Sequence, residues 1–154
     1  MREFTLFYAP NINSYKRFAE GSFAPTSVAW GLDNRTCSVR LVGHGSSARL
    51  ENRLPGADAN PYLALAAMLA GGLYGVEHEL ELPPRMDGNA YLSDAEHVPA
   101  TMKEARDLFA GSAIALEVFG EEVVQHYTHY ADVELAQFNA AVTDWEVRRG
   151  FERH

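Results

Sequence analysis

Arg49-Leu50-Glu51-Asn52-Arg53 is the stretch from which both the fold and the chemistry of this chain are read. In a strand successive side chains alternate between faces, so Arg49, Glu51 and Arg53 share one face, with Leu50 behind. Leu50 and Leu54 then point into a core. Two guanidiniums beside a carboxylate concentrate positive charge, which needs a counter-anion when held away from water. Arginine also forks onto carboxylates and phosphates with two parallel hydrogen bonds, which lysine cannot do. An isolated R-x-E-x-R reads equally well as a solvated strand face with surface ion pairs. Arg17, Arg35 and Arg40 tip this one toward an anion site: all fall between Asn11 and Asn60, a stretch whose only lysine is Lys16.

Outward from this stretch, Thr26–Gly31, Thr36–Val42 and Ala48–Leu54 are three β-type segments. Leu32-Asp33-Asn34 and Gly43-His44-Gly45 separate them as turns, which predicts an antiparallel meander. Upstream, Asn11–Pro25 mixes Asn, Ser, Gly and Pro with Tyr15, Phe18 and Phe23 and reads as a structured loop, a setting that often carries function. Phe4–Tyr8 reads as a short strand or helix end, and so abrupt a start fits a piece of a longer protein. Downstream, Asn60 as N-cap and Pro61 at the first helical position open a helix to about Val76. It is apolar nearly all round, which predicts cover on most sides. Glu77–Val98 is polar, with Pro83-Pro84 and Asp87-Gly88-Asn89, and reads as a long loop. Thr101 and Glu104 form a capping box for a helix burying Met102, Ala105, Leu108 and Phe109. Ser112–Phe119 continues as helix, and Glu121 to about Arg148 has the periodicity of one amphipathic helix. The expected fold is α+β: an antiparallel sheet over residues 26–54, packed by the helix 61–76 and followed by a helical C-terminal half.

Composition fits one domain: 154 residues, 47% apolar and 22% charged. The net charge of −8, with no Lys/Arg run, argues against a nucleic-acid partner. The single cysteine, Cys37, lies in an apolar strand pattern and reads as inert core in a reducing, cytoplasmic setting. Met1-Arg2-Glu3 leads straight into the alternating Phe4/Leu6/Tyr8 run, which reads as patterned structure rather than as a signal peptide. The uncharged run Pro61–Val76 is shorter than the roughly twenty residues a membrane span needs, and Gly71, Gly72 and Gly75 interrupt it. His126 and His129 stand three apart on a helix, a weak metal pattern without a carboxylate beside them. Gly43-His44-Gly45 is a turn rather than a phosphate loop.

Four ordered motifs carry a family resemblance. Asn13-Ser14-Tyr15-Lys16-Arg17, then Asn34-Arg35-Thr36 with Arg40, then Arg49-Leu50-Glu51-Asn52-Arg53, then Ala59-Asn60-Pro61-Tyr62-Leu63 resemble the C-terminal half of the glutamine synthetase catalytic domain. The resemblance implies half of that family's catalytic barrel, without the N-terminal β-grasp domain and the first catalytic half. In the family, ATP activates glutamate to γ-glutamyl phosphate and an amine displaces phosphate. The resemblance implies that Glu51 binds a metal (Mg²⁺ or Mn²⁺) and that Arg17 and Arg53 bind glutamate. Arg35 and Arg40 match nucleotide-phosphate arginines, and Arg49 a basic position at the ATP site; Arg35 and Arg53 would take part in catalysis. Charge neutralisation of this kind is what phosphoryl transfer requires.

One residue departs from the family pattern. The loop after Arg17 normally carries a glutamate just before Ala-Pro, where it helps to bind ammonium; here Phe23 precedes Ala24-Pro25, and Glu20 is out of register. This is similar to the γ-glutamylpolyamine, γ-glutamylputrescine and γ-glutamylethanolamide synthetase branches, and it implies an organic amine bound near Phe23. The expectation is a segment of an ATP-dependent glutamate–amine ligase, homo-oligomeric at full length and inactive as this segment alone. The alternatives are a conventional glutamine synthetase using ammonia, a non-catalytic fragment retaining only the fold, and an unrelated anion-binding module.

Overall fold

The computed structural model describes residues 1–151 and 153. Its core is built by helices. Residues Arg2–Phe4 form a 3₁₀ turn that runs into α1 (Thr5–Tyr8), and every residue of α1 is buried. Phe7 is the centre of an aromatic cluster. Its ring stands edge-on to Phe109, Phe119 and Tyr127 at centroid distances of 4.9, 5.3 and 4.9 Å, the arrangement that ring quadrupoles favour. These partners come from α3 (Met102–Ala110), α4 (Ala113–Phe119) and α5 (Glu121–Ala140). The segment read as a strand or helix end is therefore the helical plug of the C-terminal half.

The helix starts follow their capping residues. Asn60 Oδ1 accepts from Tyr62 N at 3.0 Å, opening α2 (Pro61–Glu77) with Pro61 at its first position. Thr101 Oγ1 accepts from Glu104 N at 3.2 Å, while the Glu104 carboxylate takes the Ala100 N–H at 2.8 Å. The helix expected from Glu121 to about Arg148 is instead two. α5 ends at Ala140 and α6 spans Asp144–Phe151, because Thr143 and Glu146 form a capping box of their own. Thr143 N donates to Glu146 Oε2 at 2.7 Å, and Thr143 Oγ1 accepts from Glu146 N at 3.3 Å.

The sheet is small and mixed: β1 (Trp30–Leu32), β2 (Val39–Val42) and β3 (Arg49–Asn52), in that order. The α+β class holds, but the meander is corrected. β2 and β3 are antiparallel, whereas β1 and β2 are parallel, with Trp30 beside Val39. The cause is the segment between them. Residues 33–38 double back under β1, burying Cys37 and Ser38, and the Ser38 hydroxyl bonds both to Ala29 N (3.0 Å) and to Ala29 O (2.9 Å). A hairpin turn would leave those two residues in solvent.

The two sheet faces differ in chemistry. One presents Arg40, Arg49 and Glu51; the other presents Trp30, Val39, Leu41 and Leu50, which with Val28, Leu82 and Pro83 line an apolar cleft. Leu54 is fully buried as expected, but Leu50 is 58% exposed, because it faces this cleft rather than the helical core. The expectation that α2 is covered on most sides, and covers the sheet, is likewise corrected. α2 packs against α1 and α4 through Ala67 and Ala70, leaving Tyr62, Leu65, Leu69, Leu73 and Val76 exposed.

Candidate active site

The site is assembled by the β2–β3 register. Arg40 stands directly opposite Glu51, and its Nη1 donates to Glu51 Oε2 at 2.9 Å. Two residues along β3, on the same face, Arg49 Nη2 reaches Glu51 Oε1 at 3.3 Å. Arg53, just past the strand end, places Nη1 3.9 Å from Glu51 Oε2. One carboxylate thus sits among three guanidiniums. The hydrogen bond from Arg40 holds the Glu51 carboxyl below the usual glutamate range, helped by the charges of Arg40, Arg49 and Arg53 and opposed by partial burial. Arg40 is shared: its guanidinium also pairs with Asp33, at 2.9 Å through Nε.

Arg53 connects three segments. Its Nη2 donates to Phe23 O at 2.7 Å and its Nε to Arg35 O at 3.2 Å, so the loop carrying Phe23 and the turn carrying Arg35 are both tied to β3. The Arg35 side chain is exposed. Phe23 is 61% exposed and lines an open cleft with Leu32, Asn34, Arg35, Met86 and Asp87.

Arg17 closes the other end of the cluster. It ends the 3₁₀ turn Ile12–Arg17, donates to Leu54 O, and lies 5.1 Å over the Phe18 ring. Burial lowers its pKa, and the charge of Arg53 lowers it further, against a raising effect of Asp58. A partly desolvated guanidinium with a second guanidinium close by is a place for an anion.

Of the arginines read from the sequence, Arg40, Arg49 and Arg53 gather around Glu51; Arg35 is joined to them through its backbone carbonyl, and Arg17 stands beyond Arg53, beside Asp58. Three residues that sequence reasoning missed support them. Asp58 accepts from Ser14 Oγ and from Asn11 Nδ2 (3.1 Å), fixing the turn behind Arg17; its only sequence signal was a helix-start pattern. Asp33 and Asn34 were read as turn residues, yet Asp33 pairs with Arg40 and Asn34 anchors a distant segment. Cys37 is fully buried, and burial pushes its thiol up. His126 and His129 are both exposed on α5.

A profile of the family described as glutamine synthetase, catalytic domain, matches residues 1–150. The chain belongs to that family. Within it, the chain is 63% identical over 153 residues to a γ-glutamylethanolamide synthetase, GlnA4, of Streptomyces coelicolor, covering 99% of this chain and 33% of that protein. It is 45% identical over 152 residues to a glutamate–isopropylamine ligase of a Pseudomonas species, covering 96% and 33%. A solved GmaS/ADP complex superposes with a TM-score of 0.84 at 30% identity, covering 98% of this chain and 36% of that one. The chain spans about a third of the length of the curated relatives it matches.

Proposed function

We propose that this chain is the C-terminal portion of the catalytic domain of an ATP-dependent glutamate–amine ligase, a cytoplasmic homo-oligomer that makes a γ-glutamyl amide from an organic amine. The observation that carries the reading is Glu51 held among Arg40, Arg49 and Arg53, with the turn that carries Arg35 tied to Arg53 and the Arg17 guanidinium within the field of Arg53. Such a site binds two kinds of anion at once, a carboxylate substrate and a polyphosphate.

The residues divide as follows. Arg17 and Arg53 hold the carboxylates of glutamate, Arg35 and Arg40 clamp phosphate oxygens of ATP, and Arg49 holds the nucleotide end of the polyphosphate. The γ-carboxylate of glutamate attacks the terminal phosphorus, giving γ-glutamyl phosphate and ADP. Arg35 and Arg53 then flank the group in transfer and offset its charge without having to reorganise. The amine, in its neutral form beside Phe23, attacks the acyl carbon, the C–O bond to phosphate breaks, and the proton lost by the amine nitrogen ends on the departing phosphate.

Glu51 fits a divalent metal as one ligand of a larger set: its carboxylate stays ionised, but among the described residues no three His, Cys, Asp or Glu side chains gather. Mg²⁺ or Mn²⁺ held there would neutralise phosphate charge. The test is full-length protein incubated with ATP, glutamate and ethanolamine, isopropylamine, putrescine or ammonia in turn. The expected result is ADP release coupled to a γ-glutamyl amide of an organic amine. Faster product from ammonia than from any amine makes the protein a conventional glutamine synthetase, and no coupled product makes it a non-catalytic member of the fold.

A further inference from the structure

Asn34 uses its whole side-chain amide to join two parts of the site. Its Oδ1 accepts from Thr36 N at 3.0 Å and from Thr36 Oγ1 at 2.7 Å, which closes the turn that presents Arg35. Its Nδ2 donates to Gly88 O at 2.8 Å and to Met86 O at 3.3 Å, fifty-odd residues away in the chain. The partners fix the amide's orientation, since one side meets only donors and the other only carbonyls. The same segment is seated by Met86 N on Trp30 O (2.9 Å) and by Ala90 N on Thr36 Oγ1 (2.9 Å). Gly31 leaves the room for it, because a Cβ there would stand 2.7 Å from Met86 O. The result is one open cleft lined by Phe23, by Met86–Gly88 and by the turn that carries Arg35.

We propose that Met86–Gly88 is a wall of the amine subsite that also includes Phe23, and that Asn34 is the positioning residue that sets both this wall and the Arg35 turn. The inference rests on the ligase reading and deepens it by placing the organic part of the amine. The two halves of the Asn34 amide are separable. Asn34→Asp keeps the acceptor that holds the turn but sets a carboxylate against two carbonyls, releasing only the wall. Asn34→Ala releases both.

In the full-length enzyme, with ATP, glutamate and ethanolamine varied separately, Asn34→Asp raises KM for ethanolamine on the order of tenfold and leaves the other two within about twofold, since displacing a positioning wall by a fraction of an ångström suffices. Asn34→Ala lowers kcat as well, because the Arg35 turn is loosened. Gly88→Leu is the independent check: a Cβ at Gly88 meets nothing within 4 Å, so the fold tolerates it, but the side chain crowds the cleft and raises the ethanolamine KM alone. A merely structural Asn34 predicts lower stability with all three KM values unchanged or rising together. An active wild type with both Asn34→Asp and Gly88→Leu keeping its ethanolamine KM overturns the inference alone. A wild type that makes no γ-glutamyl amide overturns the ligase reading and this inference with it.

Discussion

Phe23 holds a left-handed backbone conformation, φ 57°, which an L-residue with a bulky side chain adopts at a cost of roughly 1–2 kcal/mol. The bond from Arg53 Nη2 to the Phe23 carbonyl helps to hold it there, and that bond is independent of the side chain. Replacing the ring therefore tests the ring and not the loop. Ammonium needs a carboxylate to pair with it and to take its proton, whereas phenylalanine offers apolar surface and a cation–π contact of roughly 0.5–2 kcal/mol to a larger amine. Phe23→Glu in the full-length enzyme is expected to raise kcat/KM for ammonia and to lower it for the organic amine; a parallel loss for both would make Phe23 a loop-packing residue. Glu51 gives a second outcome at this scale. Its folded pKa lies below its unfolded value of about 4.3, so its ion pairs stabilise the fold fully above that value and are lost as pH falls through the lower folded one. Carboxyl NMR should show Glu51 titrating below about 4.3, and Arg40→Gln should move it up more than Arg49→Gln does, because the Arg40 bond is the shorter, 2.9 against 3.3 Å. Equal shifts would mean that the cluster's summed charge, not the Arg40 bond, sets the titration.

At the scale of elements, what was legible in the sequence was whatever a local rule specifies. The start of α2 followed from Asn60-Pro61, that of α3 from Thr101 and Glu104, and the shared face of Arg49 and Glu51 from strand alternation. The parallel pairing of β1 and β2 was not legible, because it depends on Ser38 and Cys37 folding beneath β1, a tertiary choice with no period of its own. The role of Asn34 was hidden for the same reason: its partners Met86 and Gly88 lie in a segment that composition marks only as loop. The break between α5 and α6 was in the sequence, as Thr143-Asp144-Trp145-Glu146, but the apolar spacing that runs across it masked the cap. That cap can be tested. Thr143→Ala removes an N-cap hydroxyl, a change that costs about 1 kcal/mol, so amide exchange in the first turns of α6 should quicken by about fivefold. Exchange in the middle of α5 should not change; acceleration across both would show that they behave as one helix.

For the whole molecule, the decisive feature is what the fold leaves uncovered. Trp30, Val39, Leu41 and Leu50 form one apolar sheet face, and α2 carries Leu65, Leu69, Leu73 and Val76 on exposed positions. Leu50 and Leu65 meet across a second cleft lined by Pro55, Pro61 and Met68, so the two surfaces are continuous. A large contiguous apolar patch on a soluble surface marks an interface or an aggregation site. Here it includes the sheet face opposite the charged one, on a chain that spans about a third of the length of its relatives. The 154-residue chain prepared by itself is therefore expected to keep its helical core, held by Phe7 and Phe109, and to bury the open face by self-association. Sedimentation should show mass rising with concentration up to roughly 100 μM, within the range where exposed apolar surface drives association, accompanied by dye binding to that surface. Leu50→Lys with Leu65→Lys places charge at the junction of the two surfaces and should return the chain toward monomer. Neither side chain belongs to the helical core, so the circular dichroism of the helices should persist. The isolated chain should also show no ATP-dependent amide synthesis, since among the described residues no three His, Cys, Asp or Glu side chains gather to hold a metal ion. A monomer at every concentration tested would mean that the apolar face is closed by a rearrangement of this chain itself, and measurable turnover would mean that one-third of the family's length suffices for the chemistry.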